Sequence, residues 1–194
     1  MIMPAPFYPG APKKDTLKEK PLNRTEFISA LKKLGEIRYH SLHPFHKLLH
    51  SGKLSFGQVQ AWALNRFYYQ WSIPRKDLTL MARIENVDIR KEWRSRVVDH
   101  EGDIDGSGGI ERYLQLCKSL KLDVNYVKSL KGLLPASKFA VDSYVSFVRE
   151  KSLLEAVSSS LTEIYAPAIH QERIDGLSKH YSWANDYALA YFKK

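Results

Sequence analysis

From Asn23 onward the apolar residues recur at intervals of three and four, and nowhere do they alternate with period two over the length of a strand. A chain with that spacing folds as helices. Phe27, Ile28, Leu31 and Leu34 mark a first helix running toward His40, capped by Asn23 or Thr25. Pro44 opens a short helix, HPFHKLLH, which Gly52 stops. Ser55 followed by Gln58 is a capping-box signature for a long helix through Trp62 to Gln70. Pro74 is expected to kink or break that helix and to start the next one, through Leu80 and Ile84. Asp88 is expected to cap a helix in which Trp93, Val97 and His100 stack at i, i+4 and i+7. The segment GDIDGSGG, residues 102–109, reads as a loop. Further helices are expected around 110–120, 135–151 and 153–175, with a last one starting near Trp183. The expected fold class is all-α, without internal repeats.

A chain of 194 residues, 44 % hydrophobic and 26 % charged, suits one domain with a sizeable core. That domain is expected over 23–194, behind a flexible Pro/Lys-rich arm over 1–22 to which no chemistry is assigned. The arm has no apolar run of signal-peptide length, and no stretch of about 20 apolar residues could span a bilayer. A single cysteine, Cys117, allows no internal disulfide and reads as a small buried hydrophobe. These features point to a cytoplasmic protein without a membrane partner. Lys and Arg number 30 against 21 Asp and Glu, a formal charge of +9, which favours an anionic partner. The basic residues are scattered and no zinc knuckle, RNP pattern or basic zipper appears, so a small polycarboxylate or phosphate fits the charge better than nucleic acid.

Residues 62–77, WALNRFYYQWSIPRKD, carry the strongest functional signal. Arg66, Tyr69 and Gln70 share one helix face, and Val59, Trp62 and Ile73 fall on or near the same stripe. A face that its apolar members should bury therefore also holds a guanidinium, a phenol and an amide. Each costs about 1–3 kcal/mol if buried unpaired, so either the protein or a polar ligand must satisfy them. His100 ends an apolar stripe beside a glycine-rich loop, a position suited to proton transfer or to a bond with a backbone carbonyl. In SSSLTEIYAPAIHQERID, Glu163, His170 and Arg173 are expected near one face of a helix. His46 and His50 have the spacing of a two-histidine metal site, but no nearby carboxylate supports them, and no metal is expected there. The chain holds no Glu-x-x-His, the motif of di-iron carboxylate bundles. GDIDGSGG lacks the Lys-Ser/Thr of a phosphate-binding loop; its glycines let the chain reverse tightly beside His100.

Taken together, HPFHKLLHSGKLSFGQVQAWALNRFYYQWSIPRKD, VVDHEGDIDGSGGIERYL, and SSSLTEIYAPAIHQERID followed by HYSW resemble the pyrroloquinoline-quinone synthase family over about residues 25–192. The resemblance implies a compact helical bundle of the haem-oxygenase-like type, shared with thiaminase-II-like proteins and usually homodimeric. It implies an oxidase that performs the final step of pyrroloquinoline quinone synthesis. The reaction closes a ring in a tricarboxylate quinone precursor, removes eight electrons with molecular oxygen as co-substrate, and releases hydrogen peroxide. It uses no metal and no organic cofactor. By motif, His40, Arg66, Tyr69, Gln70, Lys76, Tyr144, Glu163 and Arg173 would contact the substrate, Arg66 counting also among the catalytic groups. His100 would be the principal acid and base, and His170 and Tyr191 would line the oxygen and peroxide site. The family pattern continues past Lys194 with a last helical region carrying two further basic site residues, and it has glycine where Ala188 stands. On that ground a C-terminally shortened member is expected, with impaired turnover. Two other readings remain open: an inactive or non-enzymatic homologue that binds precursor or product, and a metal-dependent oxygenase of the same fold.

Overall fold

A computed structural model describes residues 20–104 and 106–193. Most of the expected 1–22 arm lies outside them. Ten α-helices and two 3-10 turns appear among the described residues, and no strand. Helix α1 (Arg24–Arg38) begins at Asn23, whose side chain accepts from the Glu26 N–H while Glu26 reaches back to the Asn23 N–H. A 3-10 turn (His40–Leu42) leads into α2 (Pro44–His50), and α3 (Phe56–Met81) starts from the Ser55–Gln58 capping box. The remaining helices are α4 (Val87–Glu101), α5 (Gly109–Ser119), α6 (Val124–Ser129), α7 (Pro135–Glu150), α8 (Leu153–Ser158), α9 (Ala166–His180) and α10 (Asp186–Leu189).

Helix α3 is the axis of the molecule: α4, α5, α7 and α8 all pack against it, while α2 lies on α9 and α10 on α5. The main core gathers around Val59, Ala63 and Phe67 of α3, with Tyr113, Leu116 and Cys117 of α5, and Leu49, Leu177 and Phe192. Cys117 is wholly buried, and burial pushes its thiol pKa up to about 12, so it is inert.

Three expectations about local structure need correction. Pro74 does not break its helix; α3 runs through it for 26 residues. The missing N–H costs about 3 kcal/mol in a helix interior, but Phe67 and Ile73 before it and Leu80 after it are all buried, and that burial holds the two halves in line. The cap of α4 is Asn86 rather than Asp88: its side chain accepts from the N–H groups of Asp88 and Ile89. The expected helix over 153–175 is split into α8, a 3-10 turn (Leu161–Ile164) and α9. Ser158 and Ser159 donate back to the carbonyls of Leu154 and Ala156, competing with the helix ladder, and Pro167 stands in the first turn of α9. Helix α6, too short to show a period, was not expected at all.

The apolar stripe that marks α1 in the sequence is not packed inward. Phe27, Ile28 and Leu34 are exposed, as is Ile37.

Candidate active site

The turn from α1 into α2, the middle of α3, the end of α4 and the start of α9 enclose a cavity of about 510 Å³. That is the size of a small-molecule site. His40, Arg66, Tyr69, His100, Glu163, His170, Arg173 and Tyr191 all line it. They come from six separate segments, and the face of α3 that carries Arg66, Tyr69 and Ile73 forms one wall.

Two arginines set the character of the cavity. Arg173 on α9 is fully buried, yet among the described residues it meets no carboxylate. Its Nη2 donates to His46 Nδ1 at 3.2 Å and its Nε has no partner. The Trp62 and Phe192 rings lie 5.6 and 5.2 Å from its guanidinium carbon. Burial, and then the nearby Arg66 charge, pull its pKa down to about 9, which still leaves it charged at neutral pH. Arg66 also lacks a carboxylate among the described residues. The Gln70 amide that satisfies both of its neighbours turns its oxygen to Arg66 Nη2 and Nε at 3.2 and 3.3 Å, and its nitrogen donates to Tyr191 Oη at 2.5 Å. Gln70 is therefore buried behind the wall, bracing Arg66 and Tyr191.

Burial, reinforced by the arginine charges, sets the state of the histidines. Burial lowers the pKa of His40 and His170 to about 4, with help from Arg66 and Arg173. Burial and Arg173 lower that of His46 to about 3. His46 thus accepts from Arg173 as a neutral ring. In the unfolded chain these rings take up protons near pH 6.5. Below that pH the unfolded state binds more protons than the folded one, so stability is complete above about pH 6.5 and is lost as pH falls toward about 4. Urea midpoints measured across that window are expected to decline as the buffer is acidified, and a flat profile would contradict neutral, buried rings.

His100 occupies the last turn of α4. Its Nδ1 lies 2.9 Å from the Arg96 carbonyl oxygen, which can only accept, so Nδ1 carries the proton and Nε2 is free to take one. The glycine loop makes the placement possible. Gly102 has φ +90°, and a Cβ on Gly108 would sit 2.2 Å from the His100 carbonyl oxygen. The chain folds back against the histidine as the glycines suggested.

Lys76 and Tyr144 stand behind the cavity wall rather than in it. Lys76 is buried between Asp77, with Nζ–Oδ1 at 2.5 Å, and the Ser160 hydroxyl at 2.8 Å. Tyr144 stacks on Tyr69 with ring centroids 6.3 Å apart and donates to the Ser159 carbonyl oxygen. Glu163 reaches the cavity from the 3-10 turn and accepts from Arg96 Nη2 at 3.0 Å. Sequence reasoning missed Tyr39, Arg96 and Arg112 among the lining residues. Arg96 carried a usable signal, since it lies one turn before His100 on the same helix.

Guanidiniums, imidazoles and phenols thus dominate the walls of the cavity, and neither Arg66 nor Arg173 pairs with a carboxylate among the described residues. The sequence pattern of the TENA/THI-4/PQQC family matches residues 28–194. The chain belongs to this family. Within the TENA/THI-4/PQQC family it is similar to the pyrroloquinoline-quinone synthase of Bradyrhizobium sp., 55 % identical over 172 residues, covering 89 % of this chain and 66 % of that protein. The pyrroloquinoline-quinone synthase of Rhodopseudomonas palustris is likewise 55 % identical over 172 residues, 89 % of this chain and 68 % of the relative. The bifunctional coenzyme PQQ synthesis protein C/D of Methylorubrum extorquens is 52 % identical over 192 residues, 99 % of this chain and 51 % of the relative. The chain spans about two thirds of the length of the synthases it matches. The all-α architecture is that of the family. No described helix is long and apolar enough to cross a membrane.

Proposed function

We propose that this protein is a cytoplasmic oxidase of pyrroloquinoline quinone synthesis, which closes the ring of a tricarboxylate quinone precursor and oxidises it with molecular oxygen. The observation that carries this reading is the pair of arginines, Arg66 and Arg173, which line one cavity and form no ion pair with a carboxylate among the described residues. A buried guanidinium left without an anion is costly, and a ligand carboxylate removes the cost through charge-assisted hydrogen bonds. The relatives' names support the choice among polyanions. The substrate's own quinone carries the electrons, so the protein supplies binding, proton transfer and a dry pocket without a metal or organic cofactor. His100 Nε2 takes protons from ring carbons as oxidation proceeds. His170 and Tyr191, which lie together with ring centroids 6.1 Å apart, line the side where oxygen and peroxide are held.

The decisive experiment mixes purified protein with the ring-open precursor in air. Growth of the quinone chromophore together with hydrogen peroxide is expected. A shift of the precursor spectrum without oxygen consumption would indicate a binding protein instead. Stoichiometric iron, with activity lost to a chelator, would indicate a metal-dependent oxygenase.

A homodimer belongs to the same proposal. The exposed Phe27, Ile28, Leu34 and Ile37 of α1 form an uncovered apolar stripe of the kind that marks an interface. Light scattering should return the mass of two chains, and aspartate at Phe27 and Leu34 together should return that of one.

A further inference from the structure

We propose that Asp77 is a positioning residue of this site, acting from behind the wall through Arg96. Asp77 is fully buried on α3 and is not among the residues that line the cavity. Its Oδ1 is already engaged, by Lys76 Nζ at 2.5 Å and by the Trp93 indole N–H at 2.8 Å. Its Oδ2 is buried without a hydrogen bond and faces Arg96 Nε at 3.5 Å, and that Nε is also buried without a hydrogen bond. The second oxygen is thus devoted to a charge contact with an arginine that also lines the cavity.

Arg96 spends its far edge on Glu163, at 3.0 Å from Nη2. The Glu163 side chain is 47 % exposed, so on its own it holds the guanidinium weakly. The fully buried carboxylate behind Arg96 is screened far less by water and sets where the guanidinium points. Lys76 extends the brace: the same side chain that pairs with Asp77 also donates to Ser160, just before the turn that carries Glu163. The dipeptide Lys76–Asp77 therefore ties α3 to α4 and to the 160–163 turn at one point. This explains why a buried lysine and a buried aspartate stand beside a cavity that neither touches.

The inference rests on the cavity being the site of a carboxylate-bearing quinone, and pyrroloquinoline quinone itself is the probe. Its affinity is measured by titration for Asp77→Asn, Arg96→Met, the double variant and Trp93→Phe, with thermal unfolding recorded for each. Asp77→Asn is expected to weaken binding about tenfold. In the Arg96→Met background the same change should matter by less than about twofold, because the aspartate acts through that arginine. Trp93→Phe removes the bond to Oδ1 while keeping an aromatic ring beside the Arg96 guanidinium, 5.6 Å away in the unmodified protein, and should lower thermal stability while leaving affinity in place. Additive losses from Asp77→Asn and Arg96→Met, or a Trp93→Phe defect as large as that of Asp77→Asn, would overturn the proposal. If Asp77→Asn does not fold, Asp77→Glu, which keeps the charge but displaces it, takes its place in the cycle with the same expected non-additivity. Failure of the unmodified protein to bind the probe would instead remove the reading of the cavity.

Discussion

His100→Ala is expected to leave precursor binding nearly unchanged while slowing oxidation by about 10²–10⁴-fold, the usual contribution of a positioned acid or base. The geometry separates the two effects. The Nδ1 proton is committed to the Arg96 carbonyl, so Nε2 is the ring nitrogen left to exchange a proton with the substrate. On the proposed reading Arg66 and Arg173 hold the polyanion, and one imidazole nitrogen adds little to that hold. It is needed only when a carbon-bound proton must leave. Rapid-mixing spectra should therefore reveal a partly oxidised species that accumulates in the variant. Equal, small losses of affinity and rate would remove His100 from the role of base.

Arg66→Ala should behave in the opposite way, weakening precursor binding by about 1.5–3 kcal/mol if the guanidinium pairs with a ligand carboxylate. Gln70 and Tyr191 brace Arg66 and are left with an unfilled partner in the variant, which adds to the loss. The neighbouring Arg173 does not readily replace it, because its Nη2 is held by His46 and its guanidinium lies against the Trp62 and Phe192 rings. Turnover at saturating precursor should fall much less than affinity. The pair of variants thus distinguishes binding charge from proton transfer within one cavity. If Arg66→Ala binds as tightly as the unmodified protein, the cavity is not an anion site.

Much of this site was legible beforehand because an α-helix places residues three and four apart on one face. The Arg66–Tyr69–Gln70 stripe, and His100 at the end of the Trp93–Val97 stripe, follow from that period alone. Glu163 shows its limit. It was expected near the same helix face as His170, two turns earlier, but the helix is broken by serine back-bonding and Pro167, and Glu163 arrives from a 3-10 turn. Lys76 shows the limit of a motif. Its sequence context matches the family, yet its side chain turns away from the cavity to pair with Asp77.

Alone, the spacing of apolar residues determined that the chain is helical, where its long central helix begins, and which polar groups that helix would carry inward. It could not determine that Pro74 would be carried through an unbroken helix, that α1 would leave its apolar stripe uncovered, or that Arg66 and Arg173 would share one cavity with neither paired to a carboxylate among the described residues. Those outcomes depend on which helices meet. Local periodicity reports the direction of a side chain from its own axis, whereas the cost of a buried charge or a missing hydrogen bond is set by what the other helices place opposite it.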